Sequence, residues 1–284
     1  TSMSSTDGGG ENYRGDMAIN VPLIAGKLGA RLVVGQNNMS GWVEKPNAAD
    51  GNVDDVNDAD EQTIRLKVKA TPTDELSIGL TAWRSRSDYG APSVAGDDGI
   101  NPGVFDESTL SDYDVYGLSV DYDFTNFSLH SSTSQIDYSN HGFLDINGGV
   151  GFATEIDAEV FTQELSLYST GEGVWKWSLG GIYRDGEDRL AQGRTSLPAD
   201  QHTMYIQASE SFAIFGEVTR SFMDGQLDLT AGLRYFEDDV RYDEISSRFS
   251  RAGAPLVKKN STFDTVTPRV VLTWYPDDEL TMYA

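Results

Sequence analysis

The sequence contains no cysteine, so neither a disulfide bond nor a thiolate metal site can form. It has no apolar run approaching the roughly 18 residues of a membrane-spanning helix, which excludes such a helix. The three histidines, His130, His141 and His202, show no metal-ligand spacing such as i, i+4. We therefore expect neither a metal nor another cofactor.

Motifs for catalysis are also missing. There is no Gly-x-Ser-x-Gly elbow, no phosphate-binding loop and no His-Glu-x-x-His pair. Ser128, His130 and Ser132, at alternate positions of one predicted strand, are a weak hint of a nucleophile beside a base. We predict that the chain is not an enzyme.

Basic residues are scarce, because 21 Lys and Arg stand against 45 Asp and Glu and the net charge is -24. A field of this sign disfavours nucleic acid as a partner. The acids concentrate in three segments that we expect to be loops: Asp50, Asp54, Asp55, Asp58, Asp60 and Glu61; Asp97, Asp98, Asp106 and Glu107; and Glu237, Asp238, Asp239, Asp243 and Glu244. Such loops either keep a surface solvated or bind cationic ligands and the divalent cations that bridge lipopolysaccharide.

The chain is rich in segments that alternate polar and apolar residues at period two. Residues 63–71 are the clearest example, with one apolar and one cationic face: Ile64, Leu66, Val68 and Ala70 against Arg65, Lys67 and Lys69. A helix would spread these cations around its circumference, and a strand buried on both faces would not carry them. The segment is predicted to be a strand between an apolar and an aqueous phase.

The same unit recurs about every fifty residues, with short turns near Leu23, Pro72, Phe124, Thr170, Met223 and Pro276. We predict twelve strands in six hairpins: 13–22 with 28–42, 63–71 with 76–83, 113–122 with 127–138, 161–168 with 175–184, 212–220 with 227–235, and 266–274 with a strand that follows the turn at 276–279 and stops at Ala284. Short turns on one rim and long loops on the other are typical of an all-β fold, the transmembrane antiparallel up-and-down β-barrel.

Aromatic residues gather near the ends of the predicted strands. They are Trp42, Tyr122, Tyr168, Trp175, Trp177, Tyr235, Trp274 and Tyr275. Aromatic girdles at the two membrane interfaces would place them there. A β-propeller also repeats at this period, but each blade needs four strands where this chain has two.

Four stretches resemble the barrel of TonB-dependent outer-membrane receptors. The most specific are 212–217 (FAIFGE) with 227–235 (LDLTAGLRY), followed by 267–270 (TPRV) with 280–284 (LTMYA). The others are 18–23 with 29–32, and 161–167 with 177–183. Such receptors have a globular plug and about 22 strands, so the resemblance implies that residues 1–284 are a partial receptor barrel domain without the plug and the final strands.

The resemblance implies energy-coupled uptake of a scarce large solute, by default a ferric siderophore, across the outer membrane of a Gram-negative bacterium. The implied partners are a TonB-type energy-transducing complex, which would act through the missing plug, the solute, and lipopolysaccharide or other outer-membrane lipid. A passive porin or an adhesin-like barrel without TonB coupling is the alternative. Its physical features would be the same.

In that family the substrate is held between the outer loops and the plug, so candidate ligand contacts are expected in loops. They are Tyr89, Phe105, Phe143, Phe152, His202, Tyr242 and Phe249, each of which could instead pack within its own loop. The basic stripe Arg65, Lys67 and Lys69 has two readings as well. It lines a permeation path for an anion, or it pairs with carboxylates of the plug or of neighbouring strands.

Overall fold

The computed structural model describes residues 1–47, 51–97, 99–146, 149–198, 202–246, 256–277 and 279–284. The chain there is almost entirely β-structure, interrupted by one 3₁₀ turn at Met223–Gly225. No helix in this part of the chain is long and apolar enough to cross a membrane. The strands are β1 (Ser2–Ser5), β2 (Glu11–Ile24), β3 (Leu28–Met39), β4 (Lys45–Asn47), β5 (Gly51–Val53), β6 (Ala59–Ala70), β7 (Leu76–Tyr89), β8 (Ser108–Asp123), β9 (Phe127–Ile146), β10 (Val150–Ser169), β11 (Trp175–Arg194), β12 (Thr203–Phe222), β13 (Leu227–Ser246), β14 (Lys258–Asp277) and β15 (Leu280–Tyr283).

Thirteen of these strands form one antiparallel sheet in chain order, while β4 and β5 form a separate small hairpin. All twelve predicted strands are present, which confirms the all-β, up-and-down class. The additional strand β1 pairs with the start of β2, where Ser2 lies opposite Arg14. At the two ends of the sheet, β1 and β15 are not paired with each other in the described residues.

Most strands are longer than the sequence predicted, and β9 to β14 each contain 20 residues. The exception among the long strands is β3, which ends at Met39 and not at Trp42. The prediction that the acids 237–244 lie in a loop was therefore wrong, because all of them are in β13. Asp60 and Glu61 are likewise in β6, and His141 is in β9. In these outer parts of the strands, apolar and polar residues no longer alternate, but the backbone hydrogen bonds between strands continue.

The register places the apolar side chains of neighbouring strands on one face of the sheet. Leu80 of β7 lies directly between Val68 of β6 and Leu118 of β8. We call this side the apolar face, and the opposite side, which carries Lys67 and Thr81, the polar face. Leu80 is 50% exposed, and within the described residues only four apolar side chains are buried: Val43, Ala59, Ala91 and Ala213. A continuous exposed apolar surface of this extent marks contact with another apolar phase.

Two belts of aromatic residues border the apolar face. The belt at the short turns is held together by ring contacts at centroid distances of 4.4 Å between Phe124 and Phe127 and 6.3 Å between Phe127 and Trp177. On the side of the long loops, Phe161 lies 6.4 Å from Tyr183, and Phe212 lies 5.7 Å from Tyr235. The belt at the turns also contains Tyr122, Trp175 and Phe222, and the last two rings contact the Arg220 guanidinium. The belt near the loops also contains Tyr116.

The spacing of the belts matches a bilayer. On β12, Phe212 and Phe222 are ten residues apart, which is about 33 Å along the strand and about 25 Å along the membrane normal at a tilt near 40°. That is the height of the apolar band of an outer-membrane barrel. Tyr168, which was expected in a belt, instead lies on the polar face opposite Ser178, and Trp42 follows β3 outside the sheet.

We expect Leu66→Arg to cost about 2–4 kcal/mol of folding free energy in the full-length protein, because it places a charge on the apolar face. Lys67→Glu, one residue away on the polar face, should cost little because its side chain stays hydrated. Urea titration of the protein folded in lipid vesicles measures both changes. Equal tolerance of the two substitutions would show that the faces are assigned wrongly.

Candidate functional site

A cavity of about 900 Å³ lies on the polar face, close to the short turns. Its floor consists of small residues from β7, β8 and β9: Gly79, Gly117, Ser119, Ser132 and Ser134. A Cβ atom at Gly79 would lie 2.5 Å from Ser119 Oγ, so a larger residue there would require the serine hydroxyl to shift. The floor leaves room for a bulky partner or solute against the wall.

Cations border this cavity on one side. Lys67 and Lys69 of the predicted basic stripe line it, and Arg31 of β3 joins them because it lies directly opposite Lys67. In the described residues, no carboxylate of a neighbouring strand forms an ion pair with Arg65, Lys67 or Lys69. The stripe therefore presents positive charge to the cavity.

An aromatic cluster lies on the polar face next to the stripe. The rings of Trp83 and Tyr113 meet edge to face at 5.1 Å, and those of Tyr113 and Tyr138 at 6.4 Å. Trp83 Nε1 donates to Thr63 Oγ1 at 2.9 Å, and Trp83 lies directly opposite Arg65. Sequence reasoning missed this cluster, although the period-two alternation already puts Trp83 on the same face as Thr81. The cluster depends on the register of three strands.

The structure describes six of the seven candidate ligand contacts and does not bring these six into one site. Tyr89 ends β7, where its hydroxyl donates to Glu61 Oε1 at 2.9 Å. Tyr242 lies in β13, with its ring 5.4 Å from that of Tyr205. The strands β7 and β13 are six positions apart in the sheet. At the usual strand spacing of about 4.8 Å, this separation is about 29 Å measured along the sheet surface.

Two of the candidates do meet. Phe105, in the loop between β7 and β8, lies 6.0 Å from Phe143 of β9 in an edge-to-face contact. Phe152 lies in β10, and His202 Nε2 is 3.0 Å from the carbonyl oxygen of Arg194.

Phe249 lies outside the described residues. The prediction of loop positions was wrong for the four candidates that are in strands: Tyr89, Phe143, Phe152 and Tyr242.

A buried ion pair holds the long loops together near Phe105. Lys45 Nζ lies 3.0 Å from Glu107 Oε2, and the two side chains are only 6% and 3% exposed. Glu107 Oε1 also accepts a hydrogen bond of 2.9 Å from the backbone N–H of Asp145, and Lys45 donates to the carbonyl of Phe105. The pair thus joins β4, the loop before β8 and the end of β9.

Asp145, near the end of β9, also holds the backbone of these loops. Its carboxylate accepts four backbone N–H groups, those of Val104, Phe105, Gly149 and Val150, at 2.5 to 3.2 Å. Desolvation acts to raise the pKa of Asp145, but the four donors together favour the charged form more strongly and lower the pKa below its ordinary value.

Above the loop-side belt, the strands carry many carboxylates on the continuation of the apolar face. A groove of about 670 Å³ is lined there by Gln135, Asp157, Glu159, Phe161, Asp185, Glu187 and Arg189. Some of these acids are paired with arginines, as in the 3.2 Å contact between Arg241 and Glu187. The surface is acidic at the level where the head groups of a membrane begin.

The described residues assemble neither a metal-binding group nor the hinted pair of Ser128 and His130. In the part of the chain that the structure describes, no group of three or more His, Asp or Glu side chains is placed to hold a metal ion. His130 Nδ1 lies 2.6 Å from Asp121 Oδ1, whereas Ser128 Oγ donates to Asp123. Ser128 and His130 therefore turn to different carboxylates and do not form a nucleophile–base pair.

Comparison with known proteins agrees on the architecture. A family model described as TonB dependent receptor-like, beta-barrel matches residues 60–284. No curated protein sequence matches the chain.

Three solved structures illustrate the likeness. The ferric yersiniabactin uptake receptor FyuA from Yersinia pestis aligns with a TM-score of 0.76 at 17% identity, over 96% of this chain and 44% of its own. The siderophore receptor PiuA from Acinetobacter baumannii gives 0.72 at 12% identity, over 99% and 47%. The ferric citrate transporter FecA, in unliganded form, gives 0.71 at 11% identity, over 99% and 42%. The chain therefore spans less than half the length of each of these proteins.

We expect Lys45→Met to loosen the loops around Phe105, because it leaves the Glu107 carboxylate buried without its cation, a change that typically costs about 3–5 kcal/mol. Hydrogen exchange of residues 99–107 should speed up accordingly. The double variant Lys45→Met/Glu107→Gln should recover much of the protection, since no unpaired charge remains. If the single variant exchanges like the natural protein, the pair does not hold the loops.

We expect acid to loosen the same loops through Asp145. A carboxylate whose pKa is lowered in the folded state contributes stability above its ordinary pKa, and this is lost as the pH falls through the lowered value. Protection of the Val104 and Phe105 amides should therefore fall as the pH drops below about 4. Asp145→Asn should reduce this protection at neutral pH and remove its dependence on acid; an unchanged acid response would assign it to another group.

Proposed function

The chain belongs to the TonB-dependent receptor β-barrel family, and from this premise we propose that it is part of the wall of an outer-membrane receptor for energy-coupled uptake of a scarce large solute. The observation that carries the proposal is the two-faced sheet. One face is an apolar band between aromatic belts, and the other is a polar wall with a large cavity. A soluble protein would have to cover the first face.

We further propose that residues 1–284 form part of a larger barrel. In the described residues, β2 from Gly15 onward and β14 up to Val271 have a paired strand on one side only. Within a bilayer every backbone polar group needs a partner, so an open edge there is costly. Further strands of the receptor would cover these two edges.

The polar face favours an anionic solute. Arg31, Lys67 and Lys69 supply positive charge beside the cavity, and Trp83 with Tyr113 offers flat apolar rings at its loop side. Ferric siderophores that chelate through catecholate or carboxylate groups combine negative charge with planar or bulky chelating groups, so we propose this class as substrate. Two structural neighbours, the ferric yersiniabactin uptake receptor FyuA and the siderophore receptor PiuA, support the choice.

In this proposal the long loops capture the solute, and a plug within the barrel rearranges to release it inward. A TonB-type complex of the inner membrane would supply the energy through that plug. Lipopolysaccharide and other outer-membrane lipids would surround the apolar face. No catalytic step is required, because the receptor only moves its solute.

Uptake of radioactive iron by cells that carry the full-length receptor tests the proposal. Uptake should saturate at low siderophore concentration and stop when the inner membrane is de-energised. Lys67→Gln/Lys69→Gln should lower uptake of anionic siderophores severalfold, because it removes charge at the cavity. The control change Lys176→Gln, near the short turns and outside the cavity, should not. Unsaturable, energy-independent uptake would instead identify a passive porin.

A further inference from the structure

A further cavity on the polar face, of about 530 Å³, lies at the side of the long loops. Asn37 of β3 and Tyr89 at the end of β7 line it from the sheet. Trp42, Asn57 and Ser93 line it from the segments that follow β3 and β7. We call this cavity the mouth pocket. The described residues that line it all differ from those of the cationic cavity near the short turns.

The mouth pocket is nearly neutral, although the chain has a net charge of -24. Of the described residues that line it, Arg14 alone is charged, and its Nε lies 2.9 Å from Asp16 Oδ2. The nearby carboxylate of Glu61 has both oxygens engaged, by Tyr89 Oη at 2.9 Å and by Asn37 Nδ2 at 3.0 Å. An ionic ligand would find no free counter-charge here, so the pocket favours an uncharged one.

Trp42 offers an open aromatic ring at the mouth pocket. It is 40% exposed, and within the described residues its ring stacks on no other ring and on no cation. Its backbone is nevertheless fixed, because Asn57 Oδ1 accepts the N–H groups of Trp42 and Val43 at 2.8 Å each. The negative face of such a ring attracts C–H groups of a ligand.

Close contact between loop backbones shapes the pocket before any ligand arrives. A Cβ atom at Gly41 would lie 2.5 Å from the carbonyl oxygen of Asp55, and one at Gly90 would lie 2.2 Å from that of Val56. A larger residue at either position would push the backbones apart. Ligand sites are usually preformed in this way, which lowers the cost of ordering them on binding.

The polar atoms left open at the mouth pocket both donate and accept. Ser93 Oγ accepts from Asn57 Nδ2 at 3.0 Å, and its own proton has no acceptor among the described residues. Asn37 uses its Nδ2 on Glu61, and nothing in the described residues donates to its Oδ1. A hydroxyl group can satisfy both, because it donates and accepts. A neutral ligand with hydroxyl groups around an apolar C–H face therefore matches the pocket, and a saccharide ring has this form.

A peptide fits the pocket less well than a saccharide. Extended peptides bind by adding to the free edge of a sheet. Asn37 lies opposite Arg14 on one side and Glu61 on the other, and Tyr89 likewise has paired strands on both sides. No strand edge is open at these two lining residues.

Resting on the proposed outer-membrane receptor, which places the long loops outside the cell, we propose that the mouth pocket binds a neutral saccharide ring. The ring stacks a C–H face on Trp42 and directs hydroxyl groups to Asn37 and Ser93. The saccharide is either free or a substituent of the transported solute, since both present the same ring to the pocket.

The test measures saccharide binding to the purified full-length receptor by saturation-transfer NMR. A polyoxyethylene detergent is used, because detergents with sugar head groups would compete. The probes are maltose, lactose and cellobiose, with glucuronate and tri-alanine as charged and peptide comparisons. Trp42→Ala removes the stacking ring, and Trp274→Ala is the matched control, since Trp274 is 46% exposed and lies on the apolar face. Hydrogen exchange of the Val43 amide checks that the loop remains folded in both variants.

We expect at least one neutral disaccharide to bind, and Trp42→Ala to weaken it about tenfold, the effect of losing one aromatic contact. Trp274→Ala should leave its affinity unchanged. The inference is overturned if no neutral saccharide binds, if the two variants bind alike, or if glucuronate or tri-alanine binds more tightly than every disaccharide.

Iron uptake in the presence of the bound disaccharide separates the two sources of the ring. Competition supports a saccharide substituent on the transported solute, and uptake without competition supports a free saccharide held at the same pocket. Passive uptake by the natural receptor would overturn the proposed function alone, because binding to the purified protein is measured without any energy source.

Discussion

The hydrogen-bond ladder between consecutive strands is the constraint on which this structure depends. A polypeptide wall in a bilayer must pair its backbone N–H and C=O groups internally, because lipid offers no partners. Here each long strand pairs with the strands next to it in sequence, from β6 through β14. The ladder does not stop at the aromatic belts, since β9 to β14 continue as strands well beyond them. The outer part of the wall is therefore rigid sheet where loops were expected.

The ladder also places consecutive residues of a strand on opposite faces of the sheet, one apolar and one polar. Leu66 and Lys67 are neighbours in sequence but face different phases, and a slip of one residue would exchange them. The register carries this separation from strand to strand, which is how Val68, Leu80 and Leu118 come to form one apolar row. The same register gathers Trp83, Tyr113 and Tyr138 on the polar face. The cavity and the aromatic cluster on one face, and the apolar row on the other, are consequences of one alignment.

Prediction of the site from sequence succeeded and failed for definite physical reasons. The cationic stripe was found because Arg65, Lys67 and Lys69 alternate with apolar residues within one strand, which is a local signal. Most of the aromatic residues that were predicted in loops lie in strands. They were assigned wrongly because the strand ends extend past the apolar face, where polar and apolar residues no longer alternate. Phe143 thus appeared to belong to a loop, although it lies in β9. Its contact with Phe105 joins segments 38 residues apart, and no local pattern encodes it.

The all-β class, the six hairpins and the division of each strand into an apolar and a polar side could be predicted from the sequence alone. These features depend on residues close together in the chain, where period two and turn residues act directly. Three features could not be predicted from local patterns: where the strands end, the burial of Lys45 against Glu107, and the contact of Ser131, Thr133 and Gln163 within the apolar face. Those contacts depend on which residues of different strands and loops stand opposite each other. That alignment is set by the whole ladder and by loop packing at its rim.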